Sequence, residues 1–554
     1  MQFQEELSKL LEKITGQKIV LEIPPDDKLG DYAYPCFELA KQQKKNPNQI
    51  AQELSKKIKA PFLEKVETKG PYLNFYIKPT ILAETTIKTI LKEKENYGKQ
   101  SLPKEKIMIE YSQANTHKAF HIGHVRGTSM GESLARILEF AGKKVQRANY
   151  QGDTGMHVAK WLWCYLTYHK DEPLKKDETW IANIYVEAVQ KLENNPQGEE
   201  AVAVINKQLD EGNDKELLEL WKKTRKLSLE AFETIYRELN TRFDHYFFES
   251  QVEQPGKIIS QQLLEKGIAE LSEDAIIMNL EKYNLSVWVL LRGDGTALYS
   301  AKDLALAQQK FQAHDIDKAI YIVGKAQELH FYQLFKTLEL MGFPQAKQCH
   351  YIPVNEVRFP WGKMSSRTGE NILYSQFKQE LVELAKKAIK ERTPTIKEKE
   401  LEKRALTIAI ACLKYAMLKQ DQNKNLIFDK EEAMRFEGET GPYLLYSYAR
   451  ANSIINKSTK KTLKLPTTIN DKEKQLLKEL GNFPTIVKQA ATETEPAHVA
   501  HYAYRLAQTF NEFYHHCQVI DSEEEAFRIQ LVKAYLITFS NALYLLGIDT
   551  LETM

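Results

Sequence analysis

A doubly wound parallel α/β sheet, preceded by a small α+β domain and closed by an all-α helical bundle, is the fold that this sequence predicts. Two observations carry the sheet: a strand–loop–helix–strand unit beginning at Ile107, and a second one beginning at Ala319. A third carries the bundle, because strand patterns vanish after about residue 376 and helical periodicity then runs almost to the end of the sequence.

The N-terminal part, residues 1–97, has helical spacing of apolar residues in Ile50-Ala51-Gln52-Glu53-Leu54-Ser55-Lys56-Lys57-Ile58 and alternation in Tyr72-Leu73-Asn74-Phe75-Tyr76-Ile77 before Pro79. A charged, turn-prone segment at 93–106 reads as a linker. From Ile107 the run Ile-Met-Ile-Glu-Tyr is a buried-strand pattern, followed by a polar loop, a helix from about Gly123 to Phe140, and a strand from Lys144 to Tyr150. The second unit consists of a strand at Ala319–Gly324, a helix at Leu329–Met341 and a strand at His350–Val354. Residues 161–242 between them are charged and helical, with Leu217, Leu218, Leu220, Trp221 and Leu227 at heptad-like spacing, and are expected to form an insertion. The expected division is therefore 1–97, 98–375 and 376–554, the last interrupted by a loop at 458–472 that contains Pro466. A chain of 554 residues is too long for one core, in keeping with several domains.

Composition narrows the function classes. With 43% hydrophobic and 27% charged residues the chain is globular, and its longest apolar stretches, at 406–418 and 534–548, are too short or amphipathic to span a bilayer. Met1-Gln2-Phe3-Gln4-Glu5-Glu6-Leu7 has acid where a signal peptide needs base, so no export and a cytoplasmic location are expected. Cys36, Cys164, Cys349, Cys412 and Cys517 include no Cys-x-x-Cys pair, which points to reduced thiols and to no zinc site. Net charge is +2, from 77 basic and 75 acidic residues, so any nucleic-acid surface must be a local patch.

The chemistry-bearing motif is His121-Ile122-Gly123-His124, where the first strand's loop enters a helix. Free N–H groups and the positive dipole end attract phosphate there, and Gly123 has no side chain to hold a nucleotide away. Two imidazoles three residues apart share a helix face and can donate to a phosphate whose charge grows during transfer. The bland alternative is a helix cap with incidental histidines. The second motif, Gly362-Lys363-Met364-Ser365-Ser366-Arg367-Thr368-Gly369, describes a mobile cationic loop suited to closing over a pyrophosphate; alone it is more often a solvated basic loop.

Together the two resemble the His-x-Gly-His and Lys-Met-Ser-Lys elements of class I aminoacyl-tRNA synthetases. Longer stretches resemble the arginyl-tRNA synthetase family: Ser112-Gln113-Ala114-Asn115-Thr116-His117-Lys118-Ala119-Phe120, Asn149-Tyr150-Gln151-Gly152-Asp153-Thr154-Gly155 and Gly438-Glu439-Thr440-Gly441-Pro442-Tyr443-Leu444-Leu445-Tyr446. The ending, from Phe510-Asn511-Glu512-Phe513-Tyr514 through Leu546-Gly547-Ile548, resembles that family's anticodon-binding domain. The resemblance implies a Rossmann-type class I catalytic sheet and ATP-dependent formation of arginyl adenylate. It also implies transfer to the 3′-terminal ribose of tRNA(Arg), with the adenylate formed only once tRNA is bound. Mg²⁺ would accompany ATP, zinc would not be needed, and a monomer with no DNA or membrane partner is expected.

Site residues follow from the same likeness. ATP falls to His121, Gly123, His124, Lys363, Met364, Ser365 and Ser366, with His121, His124, Lys118 and Lys363 in catalytic roles. A guanidinium offers a rigid fork of donors and calls for fixed carboxylates. Tyr299 and Asp303, four apart on one helix face, can flank one group, although such pairs are more often surface pairs. Glu249 is the second carboxylate by similarity, and Asn115 and Gln327 match the positions that hold the substrate's α-amino and carboxyl ends. Such a pocket leaves buried charge unpaired when a neutral analogue enters, so no editing domain is required. For tRNA, Tyr72 and Asn74 in Gly70-Pro71-Tyr72-Leu73-Asn74 match the family's D-loop-binding domain, and Tyr443, Tyr446 and Tyr448 fit either anticodon stacking or helix packing. Ser366 stands where the class signature has a second lysine, and Lys118 or Arg367 is the replacement cation. The rivals are a class I synthetase for another amino acid, a small nucleotidylyltransferase, and an RNA-binding paralogue without catalysis; intact His121 and His124 weigh against the last.

Overall fold

The computed structural model describes residues 2–360, 362–363, 373–460 and 462–554. Its centre is a five-stranded, all-parallel sheet in the spatial order Cys349–Val354, Lys318–Gly324, Lys106–Glu110, Lys144–Gln151, His245–Phe248. The chain lays down the middle strand first, winds outward in one direction to the 245–248 edge, then returns to the other side. Order therefore reverses between strands 106–110 and 318–324, and in such sheets the crevice beyond their carboxyl ends is where ligands bind. These strands are buried on both faces, which is why they read as apolar runs and not as alternation.

Helix Ile122–Phe140, which follows the first strand, is buried along most of its length because it is covered from two sides. It packs on the first strands of the sheet and against helices Glu398–Leu418, Asp471–Glu493 and Glu525–Leu545 of the C-terminal bundle. Polar groups lock this contact: Ser133 Oγ donates to the Leu545 carbonyl at 2.8 Å, and Arg136 donates to the Tyr544 carbonyl at 3.0 Å. Arg126 is fully buried, and the two terminal nitrogens of its guanidinium donate to backbone carbonyls of Asn355, Asp421 and Lys424 at 3.0–3.1 Å. Burial lowers its pKa to about 10, with Asp421 opposing the shift. One arginine thus ties the 421–424 turn to the floor of the crevice.

Between strands 144–151 and 245–248 lie helices Met156–Tyr168, Glu178–Leu192, Pro196–Glu211 and Lys215–Glu238, with a core of their own around Trp161. Asp177, Asn195 and Asp214 cap the last three by accepting from Trp180, Gly198 and Leu217 backbone N–H groups. After strand 245–248 comes a small antiparallel sheet, Glu270–Ser272, Ala275–Asn279 and Val287–Leu291, which the sequence reading did not anticipate.

The N-terminal part is α+β. Strands Tyr32–Pro35, Tyr72–Ile77 and Leu63–Lys69 form an antiparallel sheet with the 72–77 strand in the middle. Helix Pro47–Lys57 beside it has Pro47 at its first position, an Asn46 cap, and Ile50, Ala51 and Leu54 buried on one face. In the C-terminal bundle, Gly441 opens helix Gly441–Lys457 where it crosses helix 398–418; a Cβ there would stand 2.2 Å from the Ala411 carbonyl oxygen. The strand Leu426–Ile427, paired in parallel with Val357–Phe359, breaks the helical run expected after residue 376. No described helix is long and apolar enough to cross a membrane.

Candidate active site

The crevice at the reversal point is a cavity of about 380 Å³, lined among others by Ser112, His121, His124, Gly324, Gln327 and Asn355. His121 is the N-cap of helix 122–140, with extended backbone at φ −101° and ψ 168°. Its backbone N–H donates to His124 Nδ1 at 3.2 Å, and the two rings stack with centroids 3.8 Å apart. Because Nδ1 of His124 is an acceptor, the neutral ring carries its proton on Nε2. Burial pushes His121 down to about 4 and His124 well below its ordinary range, and the neighbouring Lys118 charge adds to both. Both rings are therefore neutral donors at a helix start. Among the described residues Nδ1 of His121 is buried with no hydrogen-bond partner, which is the state of a group that a ligand satisfies.

The loop feeding this helix is held in a costly conformation. Ser112, Gln113 and His117 have φ of +80°, +44° and +61°, a region that side-chain-bearing residues seldom occupy. The helical insertion supplies the restraint. His117, fully buried, holds Thr116 Oγ1 at 3.0 Å and Thr224 Oγ1 at 2.9 Å with its two ring nitrogens. Its backbone N–H donates to Ser228 Oγ at 3.1 Å, and Ser112 Oγ donates to the Tyr236 hydroxyl at 3.1 Å. His117 lies within the 112–120 motif, and its sequence neighbourhood carries no signal of this anchor.

A second group of side chains gathers beside Gly152. A Cβ on Gly152 would lie 2.4 Å from Asn115 Oδ1 and 3.1 Å from Glu249 Oε1, so the bare backbone is what lets these two converge. Glu249 begins helix Glu249–Glu265, and Lys302 Nζ lies 3.3 Å from it and 3.1 Å from Glu253. One cation is shared by two carboxylates; burial pushes the Glu249 carboxyl up, and Lys302 opposes it. Asp303, from helix Tyr299–Ala313, accepts from His330 Nε2 at 2.7 Å, and the Tyr299 ring lies 4.7 Å from the His330 ring. The expected pair Tyr299/Asp303 thus meets at a histidine to which the sequence reading gave no role. Tyr150 also joins the pocket: its hydroxyl is buried without a partner among the described residues, and burial, Asp303 and Glu249 push the phenol well above its ordinary range. Thr154 Oγ1 and His157 Nε2, a few residues on, are likewise buried without partners among the described residues.

Gln327, on the turn Lys325–Gln327, is exposed and lines the His121 side of the cavity. Lys118 is half-buried, with its ammonium 5.2 Å from the Tyr185 ring centre, and no carboxylate stands within ion-pair distance of it among the described residues. Burial pushes its pKa down, with Glu249 opposing. Met364, Ser365, Ser366 and Arg367 lie outside the described residues, as does the side chain of Lys363. Their flanks are tied to the site: Gly362–Lys363 pairs with Val357–Phe359, Leu373 bridges to His121, and the Tyr374 N–H donates to the Phe120 carbonyl at 2.9 Å.

The residues expected to meet tRNA do not line the cavity. Tyr72 is exposed and stands edge-on to Phe37 at 5.7 Å, whereas Asn74 is only 4% exposed and so presents almost nothing to a partner in this conformation. Tyr443 and Tyr446 are half-buried; the hydroxyl of Tyr443 accepts from Asn511 Nδ2 at 2.9 Å and that of Tyr446 from Arg450 at 3.0 Å. Tyr446 also carries the Arg450 guanidinium over its ring at 4.6 Å. Among the described residues, the clusters able to share a metal ion are Cys164/His169/Glu187 and Glu493/Glu495/His498, and neither lines the cavity.

Comparison with known proteins identifies the family. Residues 86–430 match the family model for "tRNA synthetases class I (R), catalytic domain", residues 444–554 the "DALR anticodon binding domain", and residues 1–77 the "Arginyl tRNA synthetase N terminal domain". Arginine–tRNA ligases of Clostridium acetobutylicum and Clostridium beijerinckii are each 36% identical to this chain, covering 100% of both partners. The arginyl-tRNA synthetase structure from Thermus thermophilus superposes with a TM-score of 0.82 at 26% identity, over 100% of this chain and 99% of that one. The Plasmodium falciparum structure, at 21% identity and a TM-score of 0.79, shares the fold over 100% of this chain and 99% of its own. With family models spanning catalytic, anticodon and N-terminal regions and full-length relatives above 30% identity, the chain belongs to the arginyl-tRNA synthetase family of class I aminoacyl-tRNA synthetases.

Proposed function

We propose that this chain is an arginine–tRNA ligase: it condenses L-arginine with ATP to arginyl adenylate, releasing pyrophosphate, and passes the arginyl group to the terminal ribose of tRNA(Arg). One observation carries the reading. Glu249 and Glu253 share one lysine, Lys302, and among the described residues Asp303 is held only by the ring N–H of His330, so the pocket holds an excess of negative charge beside the helix start at His121. A guanidinium restores that balance; an apolar or neutral side chain leaves carboxylates without a counter-charge.

The substrate carboxylate attacks the α-phosphorus, the bond to the bridging oxygen breaks, and pyrophosphate leaves. His121 and His124 donate to phosphate oxygens as their charge grows, Gly123 admits the nucleotide, and Lys118 with Lys363 and the Met364–Ser366 loop faces the pyrophosphate. Mg²⁺ enters with ATP. Asn115 and Gln327 hold the α-amino and carboxyl ends, while Glu249, Tyr299 and Asp303 hold the guanidinium. No covalent enzyme intermediate is needed. Residues 1–97, through Tyr72, and 376–554, through Tyr443 and Tyr446, are the tRNA-binding parts around the catalytic region 98–375. The enzyme works as a cytoplasmic monomer without zinc, and DNA is not a partner.

Aminoacylation of total tRNA with each amino acid in turn tests the reading: arginine alone is expected to be charged, and charging of any other amino acid in its place would overturn it. Arginine-dependent exchange of pyrophosphate into ATP is expected only when tRNA is present, and brisk exchange by the enzyme alone would contradict the tRNA requirement. Gly152→Ala tests the pocket's construction, because its new Cβ would collide with Asn115 at 2.4 Å. A displacement of this kind costs about 1–3 kcal/mol, so the KM for arginine should rise at least ~5-fold. The KM for ATP should stay near that of the parent; an unchanged arginine KM would show that Asn115 and Glu249 do not hold the substrate.

A further inference from the structure

We infer that Trp288 and His330 form a positioning relay for the arginine pocket, in which the indole N–H fixes the imidazole so that it orients Asp303 without neutralising it. The inference rests on the arginine reading above. It starts from two hydrogen bonds: Trp288 Nε1 to His330 Nδ1 at 3.2 Å and His330 Nε2 to Asp303 Oδ2 at 2.7 Å. An indole nitrogen only donates, so Nδ1 of His330 must be the acceptor and the ring's one proton must sit on Nε2. That proton is given to Asp303.

The consequence is a division of labour. A lysine or arginine at this place would also hold Asp303, but it would cancel the charge that the substrate must meet. A neutral imidazole supplies direction alone, and with Nδ1 occupied by the indole N–H there is no room for a second proton. Trp288 and His330 are both buried, at 5% and 6% exposure, so water does not compete for these bonds. Gln333, one turn after His330, donates to the Leu285 carbonyl at 2.6 Å and pins the small antiparallel sheet that carries Trp288 onto helix Glu328–Leu340. The sheet thus has a task beyond packing: it presents one N–H to one ring.

Three variants test the relay. His330→Leu removes the donor and should raise the arginine KM about 10- to 100-fold while the ATP KM and tRNA affinity stay within about twofold of the parent. His330→Gln, whose amide can both donate to Asp303 and accept from Trp288, should recover most of that loss. Trp288→Phe leaves His330 in place but removes the N–H that fixes its ring, so the arginine KM should rise about 3- to 10-fold while the ATP KM stays within about twofold of the parent.

An arginine KM unchanged in His330→Leu, or unchanged in Trp288→Phe, would overturn the relay. If His330→Leu does not fold, the arginine KM of Trp288→Phe decides alone. Failure of the underlying reading looks different, because the parent enzyme itself would then not charge arginine.

Discussion

Asp303→Ala should abolish arginine activation while ATP and tRNA binding survive. The carboxylate is buried on most sides, receives one hydrogen bond from His330, and among the described residues has no lysine or arginine of its own, since Lys302 is taken by Glu249 and Glu253. Removing it leaves the incoming guanidinium desolvated and facing one carboxylate fewer, a loss on the order of 3–5 kcal/mol, or roughly 10²- to 10⁴-fold in the rate with subsaturating arginine. Asp303→Asn isolates the charge, because an amide oxygen still accepts from His330 and the packing is kept. It should lose nearly as much as the alanine variant. Steady-state aminoacylation with arginine varied, beside ATP and tRNA binding by titration, distinguishes the outcomes. Near-normal activity in either variant would mean that the guanidinium binds elsewhere.

What the sequence could reveal of this pocket depended on distance along the chain. Tyr299 and Asp303 are four residues apart, so helical geometry alone brought them to one face, and they do meet around one ring. The parallel sheet was equally readable, because strands buried on both faces must be continuously apolar. His330 lies 27 residues from Asp303 and 42 from Trp288, and no periodicity reports a bond across such a gap. The sheet carrying Trp288 escaped notice for a related reason: its first strand, 270–272, is exposed at every position and has no apolar pattern to read. Asn74 shows where alternation misleads. It shares parity with the exposed Tyr72, and a two-residue period predicts exposure, but the 72–77 strand is the middle one and is buried at every position after its first. Coverage by neighbouring elements, invisible in a local window, decides burial there.

Lys118→Ala should slow adenylate formation by one to three powers of ten, the range in which a single preorganised charge-stabilising group acts. The case begins with a missing charge, since Ser366 stands where the class signature has a second lysine. Lys118 is placed three residues before His121, on a loop that the buried His117 holds rigid. Its ammonium is half-buried, rests over the Tyr185 ring, and has no carboxylate at ion-pair distance among the described residues. A cation kept in a partly dry site without a counter-ion is costly unless a ligand supplies one. Burial lowers its pKa and Glu249 opposes the shift, so a triphosphate binding beside it would hold the protonated form more firmly. The effect should therefore appear in the rate of arginine-dependent pyrophosphate exchange with tRNA present, and less in the arginine KM. Restoring the class residue offers the sharper test: Ser366→Lys in the Lys118→Ala background should recover part of the lost rate, because the leaving pyrophosphate responds to a cation whichever loop delivers it. Arg367, beyond the described residues, is the competitor. A Lys118→Ala enzyme with the parent's rate, set beside a crippled Arg367→Ala enzyme, would transfer the role to Arg367 and leave the Lys118 ammonium as a structural partner of Tyr185.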